Sequence, residues 1–216
     1  INRLDNFINF EKTCESTSFD NYSIPIIKED EFIYLRQIGS GSIFVVDLIY
    51  HIKREELYAQ KKKLFNDIEF EKLINREIEN YKKVQHPFLP KVIGMGNKKE
   101  YLIIEFINGQ TLSDNKVQLT FSEKITIFFE LMIIIEYLHR KQFIYRDLKP
   151  NNVIIDKNKT IVLIDFDRMI KYEDSLNTTT KNFMHQYCAP EVNENSFSYE
   201  CDIYSLAKFY LDMMNQ

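Results

Sequence analysis

The sequence predicts an α+β chain in two lobes: a small antiparallel sheet carrying one helix, then a mainly helical half. Three observations lead there. Short strand-like runs cluster in the first half, each closed by a glycine, proline or charged turn. A single stretch of helical spacing, Phe70 to Val84, interrupts them. The second half carries two helical patterns, Phe121 to His139 and about Asp202 to Met214. The chain has 216 residues, 44% of them hydrophobic, which is enough for a buried core.

Residues 1–31 are polar and irregular, with Pro25 and a Ser/Thr-rich patch, and read as an extension or linker. Ile33, Leu35 and Ile38 then lead into Gly39-Ser40-Gly41-Ser42, followed by Phe44 to Ile49: strand, glycine turn, strand. Leu57 to Lys61 forms a third strand. In the helix after it, Leu73, Ile74, Ile78 and Tyr81 define the buried side, and His86-Pro87 ends it. Val92-Ile93 and Tyr101 to Ile104 are two more strands, while Gly94, Gly96 and Asn108-Gly109 read as turns. These elements place the small lobe at about 32–107 and the large lobe at about 108–216.

The long helix from Phe121 takes Ser122 as its expected N-cap. Its most apolar part, Ile125 to Leu138, carries Glu130 and Glu136. It is shorter than the ~20 apolar residues of a membrane span, so a buried helix and no membrane span are expected. A formal charge of −4 gives no bulk attraction to nucleic acid. Cys14, Cys188 and Cys201 form no C-x-x-C pair, and free thiols in a reducing, cytoplasmic setting are expected.

The motif richest in chemistry is Tyr145-Arg146-Asp147-Leu148-Lys149-Pro150-Asn151-Asn152. Further on comes Ile161-Val162-Leu163-Ile164-Asp165-Phe166-Asp167, a buried strand ending in an acidic turn. Upstream, Tyr58-Ala59-Gln60-Lys61 is followed by Arg76-Glu77-Ile78 in the helix. Downstream lie Cys188-Ala189-Pro190-Glu191 and Asp202-Ile203-Tyr204-Ser205-Leu206-Ala207. Each admits a bland reading in isolation: a surface loop, a capping Asp, a solvated lysine cluster, a hairpin turn. Their joint order resembles the catalytic domain of eukaryotic-type protein kinases, with motifs from about 32 to 214. The fold would then be bilobal and protein kinase-like.

That resemblance implies an ATP-dependent transfer of the γ-phosphoryl group to Ser/Thr hydroxyls of a protein substrate, with Mg2+. Asp147 would accept the hydroxyl proton, and Lys149, the Ser/Thr-kinase pattern, would neutralise the moving phosphoryl group. Asn152 and Asp165 would hold magnesium through oxygen atoms. Lys61 would hold the α and β phosphates, kept in place by Glu77 rather than Glu79, because Glu77 shares the helix's buried side. Gly39 and Gly41 would let backbone approach the phosphates. Val46, Ala59 and Ile154 would sandwich adenine, Glu105 and Ile107 would bond its edge, and Ile104 would be the gatekeeper. Asp202 would accept backbone N–H bonds from the Tyr145–Arg146 region. Tyr145 and the His86 to Pro90 run resemble the AGC group.

Three departures from the family pattern stand out: Asp167 for the Gly of D-F-G, Phe44 for the third loop glycine, and Met184 where a Thr usually bridges the catalytic Asp and Lys. They keep a second reading open, a nucleotide-binding pseudokinase scaffold. Ser175, Thr178, Thr179 and Thr180 are candidate sites for an upstream activating kinase, with Arg146 as the phosphate partner. The chain starts at Ile1 and ends before the family's later helices. A longer parent protein is therefore expected, with Glu191 lacking its Arg partner and with Leu206, Phe209, Tyr210 and Met213 uncovered. Marginal stability is expected from that loss.

Overall fold

The structure, a computed structural model, describes residues 23–41, 44–64, 68–114, 117–177, 185–194 and 196–215. The chain divides into two compact units, Ile1–Ile107 and Asn108–Gln216.

In the first unit, β1 (Phe32–Ser40), β2 (Phe44–His51), β3 (Glu56–Lys63), β4 (Val92–Met95) and β5 (Tyr101–Glu105) form one sheet, in the order β1-β2-β3-β5-β4. Every pairing is antiparallel. β3 is central, so Tyr58, Ala59, Gln60 and Lys61 are buried in succession on both faces. The helix α1 (Ile68–Lys83) buries Ile74, Ile78 and Tyr81. Ile27, Ile49, Tyr58, Tyr101 and Ile103 form a core cluster. Part of the segment read as a linker belongs to this core. Ile24 and Ile27 are buried, Ile26 bridges Met95, and the Tyr101 hydroxyl donates to Ile27 O at 2.6 Å.

In the second unit, α2 (Phe121–Arg140) buries Ile127, Leu131, Ile134, Ile135 and Leu138. Its cap is Thr120, not Ser122. Thr120 Oγ1 accepts the Glu123 N–H, and Glu123 Oε2 accepts the Thr120 N–H at 2.8 Å. This is the reciprocal T-x-x-E box, which satisfies two backbone donors where a lone Ser satisfies one. No described helix is long and apolar enough to cross a membrane. Small strands carry the loops: β6 (Gly109–Thr111), β8 (Val153–Asp156) and β9 (Ile161–Leu163) in one sheet, and β7 (Phe143–Ile144) with β10 (Ile170–Lys171) in another.

The last helix, α3 (Tyr199–Met214), starts three residues before the expected Asp202. Its face read as uncovered is in fact largely packed. Leu206, Phe209 and Met213 are buried, and the Tyr210 ring lies 4.4 Å from that of Phe128 on α2. The exposed apolar residues of α3 are instead Ile203, Tyr204 and Leu211. Glu191 meets the Cys201 thiol at 3.7 Å. Ser175 is 5% exposed, within the 3-10 helix Tyr172–Asn177, so it is closed to an upstream kinase; Thr178, Thr179 and Thr180 lie outside the described residues.

Gly96 opens a turn, with Lys99 N–H bonded to its carbonyl, but Gly94 lies inside β4. A Cβ on Gly94 would stand 2.4 Å from Ile27 Cδ1, 2.6 Å from Ile27 Cγ1 and 3.0 Å from Pro25 O. Ile27 is buried and β-branched, so it has little room to yield. Gly94→Ala is therefore expected to cost about 1–3 kcal/mol in denaturant unfolding; an unchanged midpoint would contradict this packing.

Candidate active site

The predicted residues gather into two constellations, one in each unit. In the first, β3 presents Lys61 and α1 presents Glu77, with Nζ and Oε2 2.8 Å apart. The two side chains are 7% and 1% exposed, so the pair is buried. Glu79 instead faces outward, 47% exposed, and pairs with Lys82. Helical spacing explains the difference: Glu77 lies three residues after Ile74 and one before Ile78, on the packed side.

Around this pair lie the residues read as nucleotide contacts. Val46 on β2 faces Lys61 in the β2–β3 register, and Ala59 pairs with Ile104. The Glu105 N–H donates to Lys91 O at 2.8 Å, and Glu105 pairs with Tyr58 of β3. Ile107 is the last residue of the unit. Neither Gly39 nor Gly41 has a positive φ, and a Cβ on either would meet nothing nearer than 3.7 Å. The fold itself therefore does not demand glycine there. Ser42 lies outside the described residues. Phe44, the departure from the glycine pattern, sets its ring 4.2 Å from Lys61 Nζ, a cation–π contact.

The second constellation is built by a loop between β7 and β8. Tyr145 is fully buried, bonds Ile164 O through its hydroxyl and meets the Phe166 ring edge-on at 5.8 Å. Asp202 of α3 accepts the Tyr145 N–H at 2.8 Å and the Arg146 N–H at 2.7 Å, as the sequence led us to expect. Arg146 takes φ 74°, a left-handed backbone that a side chain adopts at a cost of about 1–2 kcal/mol. Asp147 follows, 1% exposed.

Lys149 Nζ reaches Asp147 Oδ2 at 2.7 Å, and Asn152 Nδ2 reaches the same oxygen at 2.8 Å and the Asp147 carbonyl at 2.9 Å. The Pro150–Asn152 3-10 turn brings Asn152 back toward Asp147. Val153 then pairs with Leu163, and Ile164 N–H bonds Asn152 O at 2.9 Å. Asp165, the residue after Ile164, has φ 70°. Arg146 and Asp165 both take left-handed backbone, and Arg146 directly precedes Asp147; strained backbone of this kind often occurs at working sites. Ile154 lies on β8 opposite Thr111 and Val162.

One residue of this constellation has no signal in the sequence. His185 Nε2 lies 3.1 Å from Asp147 Oδ1. Met184, just before it, is outside the described residues. Arg168 Nη1 stands farther off, 3.8 Å from Oδ1. Burial pushes the Asp147 carboxyl up, but the His185 bond, Arg168 and Lys149 outweigh it and hold it below the usual carboxylate range. Asp147 is therefore an anion throughout the neutral range. With Nδ2 turned to Asp147, Asn152 keeps Oδ1 as its oxygen donor; that oxygen and the Asp165 carboxylate are of the kind a hard divalent cation takes.

Residues 32–216 match the family described as the protein kinase domain. A probable serine/threonine-protein kinase of Dictyostelium discoideum is 31% identical over 199 residues, covering 87% of this chain and 43% of its own length. An Aurora kinase of Debaryomyces hansenii is 31% identical, covering 82% of this chain and 46% of its own length. Serine/threonine-protein kinase Sgk1 of Homo sapiens is 34% identical, covering 79% and 42%. The chain thus spans less than half the length of these curated relatives.

The buried pair of the first unit makes its own test. Lys61→Met leaves Glu77 buried without its cation and is expected to cost about 3–5 kcal/mol in urea unfolding. Adding Glu77→Leu should restore most of that loss. A double variant as unstable as the single one would contradict a buried ion pair.

Proposed function

Because the chain belongs to the protein kinase domain family, we propose that it transfers the γ-phosphoryl group of ATP to Ser or Thr hydroxyls of a protein substrate. The observation that carries this reading is Asp147, an almost fully buried carboxylate kept ionised by the cations and donors around it. An acceptor hydroxyl can give its proton to such a group, and Lys149, 2.7 Å away, is at hand to offset charge on the moving phosphoryl group. The serine/threonine kinases among the relatives support the choice of acceptor.

Lys61, fixed by Glu77, serves as the cation for the α and β phosphates. Gly39 and Gly41 leave open space that a phosphate chain can use, since neither is crowded by the protein. Val46, Ala59 and Ile154 would be the apolar contacts for adenine, with backbone groups of Glu105 and Ile107 for its edge. Asn152 and Asp165 would hold Mg2+, which when bound offsets the charge of the phosphate oxygens. A cytoplasmic location and activation by an upstream kinase at residues 178–180 accompany this reading.

A second reading, a nucleotide-binding scaffold, draws on Phe44. Its ring occupies the neighbourhood of Lys61 Nζ, where the family pattern has an open glycine. Transfer of radiolabelled phosphate from MgATP to a mixed protein substrate by the full-length protein separates the two. The first reading expects transfer that Asp147→Asn lowers about 10²- to 10⁴-fold, with nucleotide affinity little changed. Nucleotide binding by the wild type with no transfer would overturn it in favour of the scaffold.

A further inference from the structure

We propose that His185 is a positioning residue that holds the Asp147 carboxylate from the side opposite Lys149 and Asn152. The inference rests on the kinase reading above for its kinetic consequence, but on geometry alone for the contact.

Lys149 and Asn152 both take Oδ2 of Asp147. Arg168 Nη1 stands 3.8 Å from Oδ1, longer than a hydrogen bond, so without a donor on Oδ1 the hydrogen bonds hold the carboxylate through one oxygen alone. His185 Nε2, 3.1 Å away, fills that role. The Tyr187 N–H lies 3.2 Å from Nδ1; in the neutral ring that leaves the proton on Nε2, and the charged ring carries one there as well, so either form donates from Nε2 toward Asp147. A carboxylate accepts at about four lone-pair positions, so three donors still leave it one for a substrate hydroxyl.

The imidazole is itself held in place. Cys188 N–H bonds the His185 carbonyl at 3.0 Å, closing a turn over 185–188. The Tyr187 ring lies 6.0 Å from the His185 ring and 6.2 Å from Phe209 of α3. The Tyr187 carbonyl accepts the Ser205 hydroxyl at 2.8 Å. Through these contacts the same helix that anchors the backbone ahead of Asp147 also anchors the residue that steadies its side chain. Met184, where the resemblance places a bridging Thr, has a thioether with no proton to donate.

The test is steady-state kinetics with the full-length protein, comparing wild type, His185→Ala and His185→Gln, whose Nε2 retains a donor. The loss of a hydrogen bond to a charged group should lower kcat of the Ala variant about 10- to 100-fold. KM for ATP should stay within about two-fold, and the Gln variant should recover most of kcat. If His185→Ala does not fold, His185→Met keeps the volume without the donor and takes its place. A kcat within about two-fold of wild type in the Ala or Met variant, or a Gln variant as slow as they are, overturns the proposal. Should the wild type show no transfer, the kinase reading fails, and NMR of the His185 ring nitrogens still decides the contact. A proton on Nε2 whose signal moves on Asp147→Asn supports it, and a signal indifferent to that change overturns it.

Discussion

Asp202 sits on α3 with no solvent exposure, and its carboxylate takes three donors. Oδ2 accepts the Tyr145 N–H at 2.8 Å and meets His139 Nε2 at 2.9 Å, while Oδ1 accepts the Arg146 N–H at 2.7 Å. A hydrogen bond to a charged acceptor contributes about 1.5–3 kcal/mol, enough to offset the left-handed backbone at Arg146. The residue after that constrained one is Asp147. A long helix, through one side chain, thus sets the direction in which the loop delivers its carboxylate. The 3-10 turn then brings Asn152 back to Asp147, and Lys149 reaches the same carboxylate oxygen.

The first unit solves a different problem. Lys61 must remain charged in a strand that is buried on both faces, and burial alone would favour the neutral amine. Glu77 supplies the compensating charge, and it does so from a helix rather than from the sheet. The position of α1 against β3 therefore decides whether the lysine is held. Phe44 adds an aromatic face to the same ammonium. This contact is where the chain departs most visibly from the glycine-rich pattern that its sequence resembles.

Much of this was legible beforehand because it rests on local rules. Short apolar runs bounded by turns located the five strands of the first unit, and helical periodicity separated Glu77 from Glu79. Features that depend on tertiary approach were not legible in this way. Gly94 reads as a turn residue, yet it is demanded by the packing of Ile27, a residue far away in sequence and in a segment that reads as linker. The face of α3 formed by Leu206, Phe209 and Met213 reads as uncovered, because sequence alone does not show which partners pack on it. His185 follows no spacing rule at all: its contact with Asp147 exists only once the 185–188 turn has been seated on α3. Thr120 is a different kind of miss. The T-x-x-E signature was present, and weighing Glu123 with Thr120 would have found the cap.

The most direct test of the account is amide hydrogen exchange at Tyr145 and Arg146, in the wild type and in Asp202→Asn. Donors locked onto a buried carboxylate exchange only on large-scale opening. In the wild type both amides should be as protected as those in the middle of α2. In the variant they should exchange much faster while α2 stays protected. Rapid exchange of both amides in the wild type, or protection that survives the substitution, would contradict Asp202 as the anchor of the loop.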